Sequence, residues 1–464
     1  MKRTHTARRL CSIALSLLML ISLFPVSAFA AAPKVNPPED KVLVSQKSYS
    51  LIEGVTETHV FLNNESGDSQ IAGFLTTVSP NAQATFKASY SGYYTAGSTV
   101  DSRRNTTLTW KLEQPTKQAA NYEKATGGKV ISVTNADFFN MQTGQPLGYL
   151  IMEGNVIQTQ ANNHGEPYFA VLKDGTYAIR DYGVDHSDVV EAVSGPFYLV
   201  RDGKNVQDPN QKDRIPVNSI GIKSDGTVVT FLGDGRQAPY SVGMTLYETA
   251  QFLVAQGVKD ALYLDGGGSA MLASRHEGDD ELKIQNSPSD GSERSDSSIL
   301  LLVLTGEESS AFDHAAVSPN AELYTPNSEV QFTAIGVSNS GGSAALPEDG
   351  LSWALSEDSA NMGSISNDGL FKSNGTIGEV TAVLNHNGKE VGSSTISIVE
   401  IDELYFGSSS ISLDFSEQSS LGLVARYKKA PVHFKDGDFV WNTGDGSEGN
   451  PTVGEMHGNL FEAV

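Results

Sequence analysis

Residues 261–271 read ALYLDGGGSAM and place one acid and three consecutive glycines directly after an apolar run. The run predicts a short strand over 260–264, so Asp265 stands where that strand ends. A turn usually needs one or two glycines, and three cost more backbone entropy than a turn requires. We therefore favour a loop that approaches a ligand over a simple tight turn, with amides that bind an anion. These amides belong to Gly266, Gly267, Gly268 and Ser269.

The segment before this strand predicts a helix over 245–257. Thr245 and Glu248 form a capping box at its start, and Gly257 is a typical C-terminal stop. The glycine loop contains neither the Gly-Lys-Ser/Thr of a P-loop nor a G-x-G-x-x-G run. These differences argue against both kinds of nucleotide-binding loop.

A second carboxylate follows a strand in the stretch 130-VISVTNADFFNMQTGQPLG-148. The apolar run ends at Asn135, and Asp137 lies next to Phe138 and Phe139. Asp137 is therefore a second candidate carboxylate, with an N-cap or turn acid as the alternative. The two phenylalanines alone are more typical of a core than of a platform for a sugar ring.

Two arginines are candidates for binding an anion. Arg214 opens the stretch 214-RIPVNSIGI-222, which leads into a predicted hairpin turn at 224–226. Arg294 lies in a polar loop, 285–297, that runs into an apolar strand. An arginine can hold a phosphate through two parallel hydrogen bonds. Taken singly, each arginine is equally typical of a surface ion pair.

The chain is strongly acidic, with a formal net charge of −23 over 464 residues. Such a surface repels nucleic acids and anionic membranes, so neither is an expected partner. It also repels a phosphate-bearing substrate at long range, and such a substrate therefore requires a local cationic pocket.

The first thirty residues have the pattern of a secretory signal peptide. Four basic residues precede an apolar run from Leu10 to Val26, and 28-AFA-30 is a small-x-small cleavage pattern. We expect a secreted or cell-surface protein, with a membrane anchor as the alternative and no membrane-spanning segment after removal of the signal. Cys11 is the only cysteine and lies in this segment, so the exported chain forms no disulfide.

The last third of the chain contains short strand-like runs, polar turns and an internal repeat. Trp353 is followed by 363-GSISNDGLFKS-373, and Trp441 is followed by 454-GEMHGNLFEA-463. The tryptophans are 88 residues apart, the size of a small β-sandwich. Asn387-Gly388 predicts a hairpin turn within the first copy. The second copy lacks the last strands of the first, so we expect a fragment or a gene product cut short.

Taken together, several motifs recur in a fixed order. They are Asn-x-Asp-Phe-Phe at 135–139, Thr-Gly-x-Pro-x-Gly at 143–148, Ser-Gly-Pro at 194–196, Arg214 with Ile-Gly-Ile at 220–222, Asp-Gly-Arg at 234–236, the helix from Gly243 to Gly257, Leu-Asp-Gly-Gly-Gly-Ser at 264–269 and Glu-Arg at 293–294. This series resembles the phosphodiester glycosidase family over roughly residues 45–305. The trailing repeats resemble bacterial immunoglobulin-like domains, which space an enzyme from the cell wall or bind surface glycans.

The resemblance implies four segments and an α+β catalytic domain with a mixed sheet and few helices. The all-β immunoglobulin-like sandwich repeats follow this domain. The segments are a signal peptide at 1–30, the catalytic domain at 31–308, one immunoglobulin-like domain at 309–400 and a second, incomplete one at 401–464.

The implied reaction is hydrolysis between a sugar anomeric carbon and a phosphate oxygen, on a sugar phosphodiester or an envelope polysaccharide. Asp137 and Asp265 are the implied catalytic carboxylates, and their division into nucleophile or base and acid or hydroxyl ligand stays open. Arg294 and Arg214 are implied to hold the phosphate, the glycine-loop amides to supplement them, and Asn135 to bind the sugar. No cofactor is certain, but a divalent cation such as calcium at the two aspartates stays open, because hard cations prefer oxygen ligands.

The sequence departs from the family pattern beside both arginines. Residues are inserted between Arg214 and Gly221, and Asn218-Ser219 stand where the family often has Thr-Ala. After Arg294 the chain has 295-SDS-297 instead of a hydrophobic residue and an Asn. These departures weaken the assignment of Arg214 more than that of Arg294.

Three other functions remain open. A non-catalytic glycan-binding surface protein explains the acids and glycines as binding groups, and the repeats fit it equally well. A structural or adhesive envelope protein would keep the first domain only as a relict. Phosphoryl transfer is weakened because the chain lacks a P-loop motif and a clear metal cluster.

Overall fold

The computed structural model describes residues 34–67, 69–105, 109–159, 165–406, 413–414, 416–420, 422–439, 454–457 and 460–463. Lys34–Val464 forms one compact unit. The predicted signal peptide at 1–30, with Cys11, and the second tryptophan of the repeat, Trp441, lie outside the described residues. Within the described part, no helix has both the length and the apolar character that a membrane crossing requires.

Strands predominate over helices in the described residues before 307. The helices are α1 (Val100–Arg104), α2 (Pro115–Thr126) and α3 (Leu246–Ala255). The strands are β1 (Val42–Ile52), β2 (Val55–Asn63), β3 (Ile71–Val78), β4 (Ala84–Tyr90), β5 (Val130–Asn135), β6 (Leu150–Met152), β7 (Asn155–Gln158), β8 (Tyr168–Leu172), β9 (Tyr177–Arg180), β10 (Val189–Ser194), β11 (Tyr198–Arg201), β12 (Lys204–Asn205), β13 (Val217–Lys223), β14 (Val228–Gly233), β15 (Val258–Leu264), β16 (Leu272–Ser274), β17 (Lys283–Ile284) and β18 (Ser298–Leu304).

These strands form three sheets. The largest has the order β1-β2-β3-β14-β13-β15-β11-β12, and two five-stranded sheets have the orders β7-β6-β10-β8-β9 and β17-β16-β5-β18-β4. The expected sheet domain with few helices is confirmed. Its described strand pairs are antiparallel throughout rather than of both directions. Neighbours such as β13 and β14 are joined by a short turn, which antiparallel pairing permits and parallel pairing does not.

Helix α3 shows why the predicted helix–strand–loop unit folds as it does. Thr245 Oγ1 accepts from the Glu248 amide at 3.1 Å, and Glu248 Oε2 accepts from the Thr245 amide at 3.0 Å. The capping box is therefore confirmed, and Gly257 follows the helix in a left-handed conformation. On the buried face, Phe252 contacts Phe231 of β14 with ring centroids 4.3 Å apart. This packing fixes α3 on the large sheet immediately before β15 begins.

The described part of the region after residue 308 consists of strands and short 3-10 turns. The strands are β19 (Phe312–Ser318), β20 (Leu323–Tyr324), β21 (Glu329–Gln331), β22 (Thr333–Ser338), β23 (Ser343–Ala344), β24 (Leu351–Leu355), β25 (Gly363–Ile365), β26 (Leu370–Ser373), β27 (Gly378–His386), β28 (Lys389–Ile398), β29 (Glu403–Phe406), β30 (Gln418–Ser420), β31 (Leu423–Tyr427), β32 (Ala430–His433), β33 (Gly454–His457) and β34 (Leu460–Ala463).

The first copy of the repeat has a core of its own. Phe332 and Phe371 are fully buried there, and Trp353 packs against the same cluster. Asn387 and Gly388 both have positive φ and join β27 to β28, which confirms the predicted hairpin turn. Strand β20 pairs in parallel with β28 and with β32, so one sheet contains strands from both copies. The assignment of these copies to the immunoglobulin-like class stays a prediction.

Candidate active site

The two strand ends singled out in the sequence lie side by side. Strand β5 belongs to a five-stranded sheet and β15 to the eight-stranded sheet. Beyond their ends, the Asp265 amide donates to the Ala136 carbonyl at 2.8 Å. The Ala136 amide in turn donates to the Ser298 carbonyl at 3.1 Å, at the start of β18. Asp137 and Asp265 are therefore held in one loop cluster by backbone hydrogen bonds between two sheets.

Asn135 ties this cluster together. Its Nδ2 donates to the Asp265 carbonyl at 2.7 Å. Its Oδ1 accepts from Asn218 Nδ2 at 3.1 Å and from the Met271 amide at 3.2 Å. The side chain is buried and makes three hydrogen bonds inside the protein. The structure thus gives Asn135 a positioning role, and direct binding of a sugar by this residue stays a prediction.

Asp137 is the more deeply buried of the two predicted carboxyls. Its Oδ2 accepts from the Gly148 amide at 2.7 Å, whereas its Oδ1 has no hydrogen-bond partner among the described residues. Burial raises the pKa of Asp137 well above its ordinary value, and the charges of Glu166 and Asp265 add to the rise. Asp137 therefore keeps its proton to a higher pH than an exposed aspartic acid does.

Asp265 titrates lower than its neighbours. Burial raises its pKa to about 6, against the opposing effects of the Ser269 hydroxyl, the Arg294 charge and the Gly266 amide. Near neutral pH this carboxyl is mostly ionised. A carboxyl whose pKa is shifted towards neutral pH by burial is typical of catalytic sites.

Asp296 is a third acid that the sequence analysis did not select. Burial and the charge of Asp265 raise its pKa to about 8, while the nearby Ser269 hydroxyl and the charge of Arg294 oppose the rise. Glu166 was also missed, and it lies beside Gly148, close to Asp137. Asp296 stands in the 295–297 stretch that departs from the family pattern. That departure was the available signal, because a new acid beside a predicted ligand changes the chemistry of a site.

The glycine loop makes room for protein side chains as well as for any ligand. Gly267 has a φ of +61° and opens a 3-10 turn. A Cβ at Gly268 would overlap the guanidinium of Arg294 and the carboxylate of Asp290, and one at Gly266 would lie 2.6 Å from the Pro216 carbonyl oxygen. Glycine is therefore favoured by backbone conformation at position 267 and by lack of space at positions 266 and 268.

Not every amide of this loop is available to an anion. The Gly267 amide donates to the Pro216 carbonyl at 2.9 Å, and the Ser269 amide donates to the Gly266 carbonyl at 3.2 Å. The Gly266 amide hydrogen-bonds Asp265 and lowers its pKa. The prediction of a four-amide anion site is thereby reduced to the amide of Gly268.

Arg294 lies beside the glycine loop, and its predicted contact with a phosphate stays a prediction. Its Nη1 lies 3.3 Å from Ser269 Oγ, while its Nε and Nη2 donate to Asp290 Oδ2 at 3.0 and 2.7 Å. Asp290 is exposed, so this ion pair is solvated and exchangeable. Arg294 thus brings a positive charge to the edge of the glycine loop.

Arg214 is directed elsewhere. Its Nη2 donates to Glu248 Oε1 at 2.5 Å and its Nη1 donates to the Gly243 carbonyl at 2.9 Å. Glu248 also pairs with Lys41 at 2.9 Å. The guanidinium therefore belongs to the ion-pair group at the start of α3, and its predicted contact with a phosphate has no support from this geometry.

Arg236 is the cation that the sequence analysis overlooked. It is exposed, has a left-handed φ of +62° and brings its guanidinium to within van der Waals distance of Gly267. The pKa of Tyr263 is raised by burial and by the charge of Asp265 and is lowered by Arg236, so both charges act on the same hydroxyl. Among the described contacts, its side chain has no ion pair. The signal was the Asp-Gly-Arg motif at 234–236, in which only the arginine faces the loop.

The buried acid in that motif explains the loop conformation. Asp234 accepts from Asn286 Nδ2 at 2.9 Å, from the Ser287 amide at 2.8 Å and from the Tyr240 hydroxyl at 3.0 Å. The bonds from Asn286 and Ser287 connect the loop after β14 to the segment before β18, and the bond from Tyr240 lies within the loop itself. Asp234 therefore fixes the loop that carries Arg236, and its carboxylate is already hydrogen-bonded within the protein.

Binding of a metal ion at Asp137 or Asp265 stays a prediction. Among the residues that the structure describes, the one group of three closely spaced His and acidic donors lies elsewhere. That group consists of Glu57, His59 and His276.

Residues 128–303 match the family model described as phosphodiester glycosidase. This match supports the predicted catalytic-domain family, and its range includes every residue of the loop cluster described above.

The curated relatives agree with that family at low identity. The N-acetylglucosamine-1-phosphodiester alpha-N-acetylglucosaminidase of Mus musculus is 28% identical over 158 residues, which cover 29% of this chain and 30% of the mouse protein. The Bos taurus protein of the same name is 30% identical over 159 residues, 29% of either chain. An uncharacterized SPbeta prophage-derived protein of Bacillus subtilis, YomE, is 38% identical over 171 residues, 32% of this chain and 24% of that protein. The chain thus spans less than a third of these relatives.

Among solved structures, the catalytic domain of the zebrafish N-acetylglucosamine-1-phosphodiester alpha-N-acetylglucosaminidase, described as auto-inhibited by its pro-peptide, is 20% identical. The alignment covers 58% of this chain and 95% of the zebrafish chain, with a TM-score of 0.40.

Proposed function

We propose that the first region hydrolyses a glycosyl-1-phosphodiester between the sugar anomeric carbon and the phosphate oxygen. The observation that carries the proposal is the difference in pKa between two acids of the loop cluster. One buried carboxyl, Asp265, has a pKa of about 6, while Asp296 beside it has a pKa of about 8. An ionised and a protonated acid therefore coexist near neutral pH within the segment that matches the phosphodiester glycosidase family.

Asp265 is the proposed group that acts on the anomeric carbon. As a carboxylate it stabilises the positive charge of an oxocarbenium-like transition state and accepts the proton of the attacking water, or forms a covalent intermediate. The bond from the anomeric carbon to the phosphate oxygen breaks, and its electrons leave with the phosphate monoester. The products are free sugar and a phosphate monoester.

Asp137 and Asp296 are the proposed proton-holding groups. A phosphate monoester is a good leaving group, so it requires less protonation than the alcohol released from an ordinary glycoside. Their larger effect is to stay neutral, since another buried negative charge next to the diester would repel it. This reasoning assigns the main rate effect to Asp265 and a smaller one to the two protonated acids.

Arg236 and Arg294 are the proposed cations for the diester. Arg236 lies over Gly267, and Arg294 lies over Gly268. The two guanidiniums thus face the same loop from neighbouring positions, next to the carboxylate that is to attack. In a chain with a net charge of −23, this local pair of cations supplies the attraction that the rest of the surface opposes.

The chain is further proposed to act outside the cell, at the envelope or on an extracellular polysaccharide. The support is the basic, apolar and small-x-small pattern of residues 1–30. The two copies of the trailing repeat are proposed to be immunoglobulin-like modules that hold the enzyme near cell-wall glycan.

The test is hydrolysis of a panel of α- and β-linked sugar-1-phosphodiesters by the unit Lys34–Val464, followed as release of free reducing sugar. Release by the wild type and its loss in Asp265→Asn are the expected results. Binding of panel members without release by the wild type would instead favour a glycan-binding or adhesive surface protein.

A further inference from the structure

Three side chains outside the candidate active site meet at one point. Glu57 and His59 are two residues apart on β2 and therefore lie on the same face of the strand. His276 comes from the loop after β16. Glu57 Oε1 lies 2.7 Å from His59 Nε2 and 3.0 Å from His276 Nε2.

The carboxylate at the centre of this group is completely buried. Glu57 has no exposed surface, and its second oxygen, Oε2, has no hydrogen-bond partner among the described residues. A buried carboxylate is stable only when positive charge or hydrogen bonds compensate it. Both imidazoles face Oε1, and Oε2 is left without a partner in the described part of the chain.

The imidazole rings are held in place by aromatic neighbours. Tyr49 stacks on His276 with ring centroids 4.0 Å apart, and Phe74 meets His59 edge-on at 4.8 Å. The rings remain partly exposed at their outer edges, at 22% for His59 and 18% for His276. The group is thus fixed on its protein side and accessible on its solvent side, as a ligand-binding group requires.

The donor set and its dimensions fit zinc. Two imidazole nitrogens and one carboxylate form a typical three-ligand zinc site with an open fourth position. All three ligand atoms lie within 4.8 Å of one another. Ligand atoms on a tetrahedral zinc ion are about 3.3 Å apart. The two carboxylate–imidazole distances, 2.7 and 3.0 Å, must therefore widen by some tenths of an ångström. The two imidazole nitrogens lie within 4.8 Å of each other and must approach by at most about 1.5 Å. Calcium fits poorly, since it takes six or more oxygen ligands.

We propose that Glu57, His59 and His276 form a zinc-binding site that is separate from the candidate active site. Zinc binding displaces the Nε2 protons of both histidines and gives Glu57 a cation as its direct partner. The fourth position is open to water.

The position of the site gives it a structural role. The loop that contains His276 also carries Glu277, whose amide donates to the Ser50 carbonyl at 3.0 Å, and Gly278, whose amide donates to the Gly341 carbonyl at 2.9 Å. Ser50 belongs to β1, and Gly341 belongs to the region after residue 308. A zinc ion on β2 and His276 therefore cross-links the outer hairpin of the large sheet to the loop that contacts the following domain.

The experiment measures zinc binding to Lys34–Val464 that carries no affinity tag, after removal of metal with a chelator. Isothermal titration with zinc chloride and metal analysis after dialysis give the stoichiometry, and cobalt(II) gives a visible absorption band typical of four-coordinate geometry. The variants are His276→Gln, His59→Gln and the control His433→Gln. His433 pairs with a single carboxylate, Glu322, at 3.1 Å and has no second imidazole in that pair.

We expect one zinc ion per chain and a zinc-dependent rise in Tm for the wild type and for His433→Gln. We expect the Kd for zinc to rise at least tenfold in His276→Gln and in His59→Gln, by about the factor of 10–100 that even indirect metal contacts contribute. Circular dichroism checks the fold of each variant, and His59→Gln serves as the test if His276→Gln unfolds. Absence of zinc uptake by the wild type, or equal uptake by all variants, would overturn the proposal and leave a hydrogen-bonded triad. Tighter binding of calcium than of zinc would overturn the donor assignment.

Discussion

Asp137 and Glu57 are both buried carboxyls, with 2% and 0% of their surface exposed, yet their pKa values move in opposite directions. Burial raises the pKa of each. At Asp137, the neighbouring acids Glu166 and Asp265 raise it further. At Glu57, hydrogen bonds and charge from His276 and His59 overcome burial and bring the pKa to about 2.

The difference shows that burial alone does not decide what a hidden carboxyl can do. Acids that face other acids keep protons, and such a group can exchange protons with a substrate. An acid that faces two imidazoles stays ionised, and such a group can hold a cation. Two regions of one chain thus use the same kind of side chain for different chemistry, and four measurements test this contrast.

The largest expected effect comes from Asp265→Asn. This change removes the carboxylate that is proposed to act on the anomeric carbon, so kcat for sugar release should fall by about 10²–10⁴-fold. The matched control is Asp260→Asn on the same strand, where the carboxylate accepts a hydrogen bond from the exposed Asp202 amide. An equal loss of kcat in both variants would place the effect in β15 packing rather than in catalysis.

The next effect distinguishes Arg236 from Arg214 by their contributions to KM. Arg236→Ala should raise KM for a phosphodiester by about tenfold, the low end for a hydrogen bond to a charged group, because Arg236 is exposed. Arg214→Ala should leave KM unchanged, since its guanidinium is paired with Glu248. Initial-rate kinetics at low and high salt measure both values. A KM increase confined to Arg214→Ala would reverse the assignment.

The pH dependence of stability tests the protonated state of Asp296. Its pKa is raised in the folded state, so the folded state binds this proton more tightly than the unfolded chain. The resulting stability is present at low pH and is lost as pH rises through about 8.

Asp296→Asn cannot ionise and should therefore be more stable than the wild type at pH 9, by at least about 1 kcal/mol, or about 2–4 °C in Tm. The two proteins should unfold at similar temperatures at about pH 3, where the carboxyl is protonated in both the folded and the unfolded chain, and the difference should widen as pH rises. Calorimetry at the two pH values measures the difference, and Asp290→Asn, an exposed acid nearby, serves as control. A pH-independent difference would show that Asp296 is ionised in the folded protein.

The fourth measurement concerns Glu57, the other carboxyl of the comparison. Glu57→Gln in metal-free buffer at pH 7 should lower the stability by about 1–3 kcal/mol, because the amide accepts weaker hydrogen bonds from His59 and His276 than the carboxylate does. Urea unfolding measures the change, with Glu53→Gln in the adjacent β1–β2 turn as control. A stabilising effect of Glu57→Gln would mean that Glu57 resembles Asp137 after all.

Local features of the fold were predictable from the sequence. The capping box of α3, the stop at Gly257 and the Asn387-Gly388 turn depend on residues close in sequence, so their patterns determine them directly. The antiparallel pairing of β5 with β18 and of β13 with β15 joins distant segments. Such pairing has no local signature, and the prediction therefore gave the element types correctly without giving the sheet order.

The candidate site was predictable to the same extent. Asp137 and Asp265 were selected because each follows a strand, and Arg294 was selected by its motif; the roles given to them stay predictions. Asp296 enters the cluster only through the pairing of β18 with its neighbours. The ion pair of Arg214 with Glu248 was not foreseen, because Glu248 is 34 residues away and was recognised only as a cap.

The three consecutive glycines differ in how easily they can be replaced over evolutionary time. A side chain at position 268 would meet the outer ends of Arg294 and Asp290, whereas one at position 266 would meet the Pro216 carbonyl and the Tyr263 hydroxyl. The outer end of an arginine can rotate away, but a backbone carbonyl cannot move without the chain around it. A lineage that replaces Gly268 therefore moves the cation away from the loop and keeps the fold, whereas Gly266 is retained for as long as this backbone contact exists.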